Sequence, residues 1–154
     1  MIVGTRIDFR LIHGQVANLW ANARQVERFL VVDDEVAEDT LQKQVLRMAT
    51  PSTIRLSVLP AEKAAANILA RKYDATRLFI VVKKPAVLVR LMKAGVKFDE
   101  IIVGNMTTTE EVRRVGLNIG LDAGDVEAFG ELAAAGIPMV SQLVPSNNPE
   151  VFKL

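Results

Sequence analysis

Two stretches of the chain, Phe29-Leu30-Val31-Val32 and Leu78-Phe79-Ile80-Val81-Val82, are apolar at every consecutive position. A strand reads that way when both of its faces are buried, which calls for a parallel sheet with helices above and below it. The rest of the chain supplies the parts. Candidate strands run over Met1 to Asp8, Arg28 to Asp33, Ile54 to Leu59, Leu78 to Val82, Glu100 to Val103, Val115 to Leu121 and Met139 to Val144. Helical periodicity fills the gaps over Gln15 to Ala23, Glu38 to Met48, Ala61 to Lys72, Ala86 to Ala94 and Asp125 to Ala135. Pro51, Pro60, Gly95 and Gly136-Ile137-Pro138 punctuate the helix ends. No full helix fits into Gly104 to Arg114, so a loop or an antiparallel step is expected there. The expectation is one α/β domain over residues 1–154, an open, mainly parallel sheet of about seven strands with helices on both faces.

Composition narrows the chemistry. With 154 residues the chain is long enough for one well-buried core. Lysine and arginine total 19 against 18 acidic residues, so no global field holds nucleic acid. The chain has no cysteine and a single histidine, His13. Disulfides, thiolate nucleophiles, Cys-ligated metals and multi-histidine metal sites are thereby excluded. No apolar stretch approaches the ~18 residues of a membrane span, and no leader pattern opens the chain, so a soluble cytoplasmic protein is expected. GxxxxGK[ST] and GxGxxG are both absent, which argues against nucleotide hydrolysis and dinucleotide redox chemistry.

Open parallel sheets bind ligands outside the carboxyl ends of their strands. The strand tips read Asp8-Phe9-Arg10-Leu11-Ile12-His13-Gly14, Asp33-Asp34-Glu35, Lys83-Lys84-Pro85 and Gly104-Asn105-Met106-Thr107. A nearly neutral chain thus gathers Arg6, Arg10, Lys83, Lys84 and its only histidine along one rim. A lone histidine is ordinarily structural or exposed, but His13 lies directly before Gly14 and a helix start. There the free backbone N–H groups and the positive end of the dipole favour a phosphate. The same end disfavours imidazolium, keeping a nitrogen lone pair available for attack. Arg6 and Arg10 supply cations for the oxygens of a transferring phosphoryl group. Asp33-Asp34 resembles half of a phospho-aspartate pocket without a later acceptor aspartate, and Asp34 fits equally well as a cap. Lys83 and Lys84 also fit a solvated helix start, Leu11 fits either core or partner contact, and Trp20 and Phe29 fit the core.

The segment Arg6-Ile7-Asp8-Phe9-Arg10-Leu11-Ile12-His13-Gly14-Gln15-Val16 closely resembles the active-site signature of one family. That family is the IIB component (EIIB) of the mannose/fructose/sorbose branch of the bacterial phosphoenolpyruvate:sugar phosphotransferase system. The likeness continues through Trp20, Val31-Val32-Asp33-Asp34-Glu35-Val36-Ala37, Asp39-Thr40, Ala49, Pro51 and Val144-Pro145-Ser146. The resemblance implies that His13 takes a phosphoryl group on Nδ1 from a phosphohistidine of the EIIA protein. His13 would then pass it to a sugar held by the membrane components EIIC and EIID, with no cofactor or metal. On matching positions, Arg10 and the backbone of Gly14, Gln15 and Val16 would hold the phosphate. Arg6 and Asp8 would order the loop, with Asp34 in support. Apart from the resemblance, in-line transfer between two histidines requires them to face each other, so Phe9, Lys83 and Lys84 on the same rim are the expected partner contacts.

The chain departs from the family pattern on the same rim. Where the family commonly reads Asn-Val-Gly-Gly-Met, this chain reads Ile102-Val103-Gly104-Asn105-Met106, and Lys84 stands where an asparagine is expected. The alternative those departures leave open is a regulatory, phosphorylation-sensing paralogue with no direct role in sugar uptake.

Overall fold

A computed structural model of the chain describes residues 1–154 apart from the side chain of Gln15. The order is β1 (Ile2–Ile7), α1 (Gly14–Arg24), β2 (Arg28–Val32), α2 (Thr40–Ala49), β3 (Arg55–Leu59), α3 (Ala61–Leu69), β4 (Leu78–Val82) and α4 (Pro85–Lys93). Then come β5 (Ile101–Val103), β6 (Arg113–Val115), β7 (Ile119–Leu121), α5 (Ala123–Ala134), β8 (Met139–Ser141) and β9 (Glu150–Val151). Seven strands form the main sheet in the order β3-β2-β4-β1-β5-β8-β9. All neighbours are parallel except β8 and β9.

The consecutive apolar runs do what their pattern demands. Phe29, Val31, Phe79 and Val81 pack on one face with Trp20 of α1 and Leu46 of α2. Leu30, Val32, Leu78, Ile80 and Val82 pack on the other with Ala64 of α3, Leu88 of α4 and Phe129 and Leu132 of α5. Trp20 and Phe29 close on Phe79 with ring centroids 6.0 and 5.6 Å away, so both belong to the core.

The expected single strand over Val115 to Leu121 is instead a hairpin. Gly116, at φ +63°, turns the chain between β6 and β7, which pair antiparallel outside the main sheet. A side chain at that φ would be strained, so glycine sets the break. The seventh strand of the main sheet is β9, added antiparallel to β8. Of the two expectations for Gly104 to Arg114 the loop is what forms, and the antiparallel pairing follows it in this hairpin, whose Asn118 carbonyl and Gly120 N–H both bond to Met106. That pairing braces the loop that follows β5.

The topology decides where a site can form. α1 and α2 carry the chain from β1 out to β3 along one face, whereas α3 and α4 return it along the other face and across β1 to β5. The loops after β1 and β5 therefore leave the sheet in opposite directions and open a crevice at their carboxyl ends.

Candidate functional site

Arg6 is the base of the crevice. It sits in mid-sheet at 3% exposure, with its guanidinium 5.4 Å from the Trp20 ring centroid. A charge this buried must be paired to be tolerated. Nη2 meets Asp8 Oδ2 at 3.1 Å and Nη1 donates to the Gln142 carbonyl at 2.8 Å. Burial pushes the Arg6 pKa below its usual value and Asp8 opposes that shift, so the guanidinium stays charged. The loop after β5 crosses directly over it: a Cβ on Gly104 would overlap the guanidinium, so glycine is required by the close approach.

Beyond Asp8 the chain turns sharply. Leu11 adopts φ +59°, its N–H bonded to the Asp8 carbonyl at 2.9 Å, and its side chain is buried in the core. This settles Leu11 as an anchor rather than a contact residue, and burial holds the strained turn in place. The turn throws Phe9 and Arg10 outward, both exposed, while the Phe9 N–H is tied to the Asn105 carbonyl. The Arg10 N–H donates to Asp8 Oδ1 at 3.0 Å, and no hydrogen bond of its side chain is present among the described residues. That cation is free to meet an anion.

His13 is the N-cap of α1, in extended backbone, and its side chain caps nothing. Its imidazole Nε2 lies 3.1 Å from Asp8 Oδ2. Asp8 is fully buried and salt-bridged, so its carboxylate only accepts hydrogen bonds. A hydrogen bond to that carboxylate assigns an N–H to Nε2, the tautomer in which Nδ1 carries the lone pair. Gly14, at φ +45°, starts the helix, whose first-turn amides at Gly14, Gln15 and Val16 have no acceptor within the helix. The Gln15 side chain lies outside the described residues. The imidazole thus stands at the start of α1, where three helix amides lack helical acceptors, and Arg10 belongs to the same loop.

Two residues that sequence reasoning placed at this rim are engaged elsewhere. Asp34 accepts the Ala61 N–H at 2.9 Å and pairs with Arg90, and that backbone bond first, then Arg90, hold its pKa below the usual carboxylate value. It caps α3. Lys84 reaches both Asp122 and Asp125 at 3.1 Å, the two residues of the capping box at the start of α5. Lys83 remains half-buried on the rim with no ion pair among the described residues.

Burial works against the Lys84 charge, but the hydrogen bonds and charges of Asp125 and Asp122 outweigh it and raise the Lys84 pKa. The backbone N–H of Asp125, with further help from Lys84, lowers that of Asp122. The lowered acid contributes stability that is lost as pH falls through its range, and the raised base contributes stability lost only at strongly alkaline pH. The cluster is thus intact from about pH 5 to about pH 9. Lys84→Met should cost roughly 1–2 kcal/mol at neutral pH, because Asp125 is left buried beside Asp122. Urea unfolding measures this, and the deficit should shrink as pH drops towards 3. An unchanged midpoint at pH 7 would show the cluster to be a solvated surface pair.

Asn105 is the residue that sequence reasoning did not assign. Its amide Nδ2 meets Asp8 Oδ2 at 3.1 Å, joining the tips of β1 and β5 across the crevice. Its place at a strand tip and within the departure from the family pattern pointed to the rim but not to Asp8, and the contact spans 97 residues.

Residues 2–153 match the family described as "PTS system sorbose subfamily IIB component". The chain is 37% identical over 154 residues to the N-acetylgalactosamine-specific phosphotransferase enzyme IIB component 2 of Escherichia coli, covering 99% of this chain and 98% of that one. It is 36% identical to the mannose-specific EIIAB component of the same organism, of which it spans 47%. Among solved structures, the IIBSor domain of the sorbose permease from Klebsiella pneumoniae superposes with a TM-score of 0.91 at 28% identity, over 97% of this chain and 91% of that one. On the matched length, the shared fold and these relatives, the chain belongs to the sorbose subfamily of IIB components of the sugar phosphotransferase system.

Proposed function

We propose that the chain is a phosphocarrier, acting in the cytoplasm as one unit over residues 1–154. It accepts a phosphoryl group on Nδ1 of His13 from a phosphohistidine of EIIA and passes it to a sugar held by EIIC and EIID. The observation that carries this reading is the Asp8–His13 contact, which fixes the proton on Nε2 and leaves Nδ1 nucleophilic at an uncapped helix start. The name of the mannose-specific relative, EIIAB, couples a IIA to a IIB component in one chain, which supports EIIA as donor.

The chemistry balances without a cofactor. The Nδ1 lone pair attacks phosphorus as the donor's N–P bond breaks, and that electron pair returns to the donor nitrogen. The ring keeps its Nε2 proton and gains positive charge, which Asp8 stabilises. In the second step a sugar hydroxyl oxygen attacks phosphorus, its proton goes to solvent, and the His13 N–P pair returns to Nδ1. Throughout, the amides of Gly14, Gln15 and Val16 and the Arg10 guanidinium stabilise the equatorial oxygens, where charge spreads in a loose transition state. Arg6 acts from beneath by holding Asp8.

Partners meet the rim around His13, since in-line transfer requires the two histidines to face each other. Phe9 is the apolar contact and Lys83 the steering charge. The test is reconstitution with phosphoenolpyruvate, the general phosphocarrier proteins and a cognate EIIA, followed by mapping of the phosphate. An acid-labile phosphate on Nδ1 of His13 is expected, and a phosphate elsewhere rejects the proposal. Arg10→Lys, which keeps the charge and loses the planar fork, should slow transfer about 10²-fold with unchanged stability. Transfer at the wild-type rate would make Arg10 a solvated loop residue.

A further inference from the structure

Asp8 Oδ2 is crowded. It meets Arg6 Nη2, His13 Nε2 and Asn105 Nδ2, each at 3.1 Å, while among the described residues Oδ1 meets only the Arg10 N–H. A carboxylate oxygen offers about two lone-pair directions, so three donors compete for it. Asn105 must present its NH2 side, because the carboxylate cannot donate.

Asn105 is not needed to hold Asp8 in place. Arg6 is immobilised by burial and by the Gln142 carbonyl, and it grips Oδ2, while the Arg10 amide grips Oδ1. The backbone of Asn105 is itself fixed independently of its side chain, through its carbonyl to Phe9 and through the hairpin bonds to Met106. What the amide adds is a third claim on the oxygen that His13 uses.

We propose that Asn105 is a positioning residue whose amide, by sharing Asp8 Oδ2, weakens the Asp8–His13 hydrogen bond and so limits how tightly His13 retains a phosphoryl group. The consequence for transfer rests on His13 being the phosphoryl acceptor. A phosphorylated ring carries positive charge that spreads to Nε2–H, and a stronger acceptor there stabilises it. With the amide present, Asp8 fixes the tautomer without binding the charged ring so firmly that onward transfer stalls.

The test replaces Asn105 with leucine, which fills the space, excludes water and donates nothing. His13 is the only histidine, so its imidazole signals in an NMR spectrum need no assignment. In unphosphorylated Asn105→Leu the Nε2–H resonance should move downfield, as a shortened hydrogen bond requires. Against a fixed ratio of phosphorylated to free EIIA, the phosphorylated fraction should rise about three- to tenfold in equilibrium constant, the scale of losing one competing hydrogen bond. Onward transfer should slow by a similar factor. Asn105→Ala should move the resonance less, because water then reaches Asp8 in place of the amide. If the leucine variant does not fold, Asn105→Met takes its place. An unmoved or upfield Nε2–H resonance in a folded variant overturns the proposal. A wild-type chain that takes no phosphate on His13 overturns the carrier reading instead, and the resonance, recorded without phosphate, still decides the role of Asn105.

Discussion

His13→Ala should fold like the wild-type chain and incorporate no phosphate. The side chain is nearly buried but caps no helix amide, and among the described residues its one hydrogen bond is to Asp8, which keeps three other donors when the imidazole is gone. Its removal should therefore change stability by no more than about 1 kcal/mol. Phosphate incorporation, by contrast, should vanish, because the chain has no second imidazole and no thiol to accept the group. A thermal scan reads the stability, and radiolabelled phosphoenolpyruvate with the general phosphocarrier proteins and EIIA reads the incorporation. Label retained in the mutant would place the acceptor on another residue, whereas a collapsed melting transition would show that the imidazole is a structural part of the crevice.

The separation between a large functional effect and a small structural one reflects how the site is built, and it also explains what the sequence made legible. Phe29 to Val32 and Leu78 to Val82 were readable as strands because burial on two faces leaves no polar position to confuse the period. His13, Asp8 and Arg6 were readable as a group because one strand and the turn after it carry all three, and strand tips are where α/β sheets bind. Asn105 was not readable, since its meeting with Asp8 depends on β5 lying next to β1, which is fixed by the strand order and not by any local pattern. Lys84 misled for the same reason. Its partners lie 38 and 41 residues further on, and only the fold turns a rim lysine into the clasp of a capping box. β9 escaped because two exposed residues have no hydrophobic alternation to display; they pair antiparallel with β8, next to the buried Phe152, whose ring lies 4.6 Å from that of Phe129. Local chemistry is written locally, and pairings across the sheet are not.

The same network makes Asp8→Asn the second large effect. An asparagine must present either its oxygen or its NH2 to the triple donor set of Arg6, His13 and Asn105. If the oxygen faces them, the NH2 faces the Arg10 N–H; if the amide flips, the NH2 faces three donors. A donor–donor collision is unavoidable in both orientations, and Arg6, at 3% exposure, loses its counter-ion. Breaking a buried pair in this way costs about 3–5 kcal/mol, a large part of what a single domain of this size possesses. Transfer should suffer beyond that loss. Without a carboxylate on Nε2 the imidazole is free to take either tautomer, and the positive charge of the phosphorylated ring is uncompensated, so the rate in still-folded protein should drop about 10²–10⁴-fold, the scale of losing the orienting carboxylate of an imidazole nucleophile or base. The assay belongs at low temperature, with the folded fraction measured in the same sample. Phosphate in the variant should also divide between Nδ1 and Nε2, which phosphohistidine NMR distinguishes. Folded Asp8→Asn that transfers at the wild-type rate, with phosphate on Nδ1 alone, would reduce Asp8 to a counter-ion for Arg6 and leave the tautomer of His13 to the helix start.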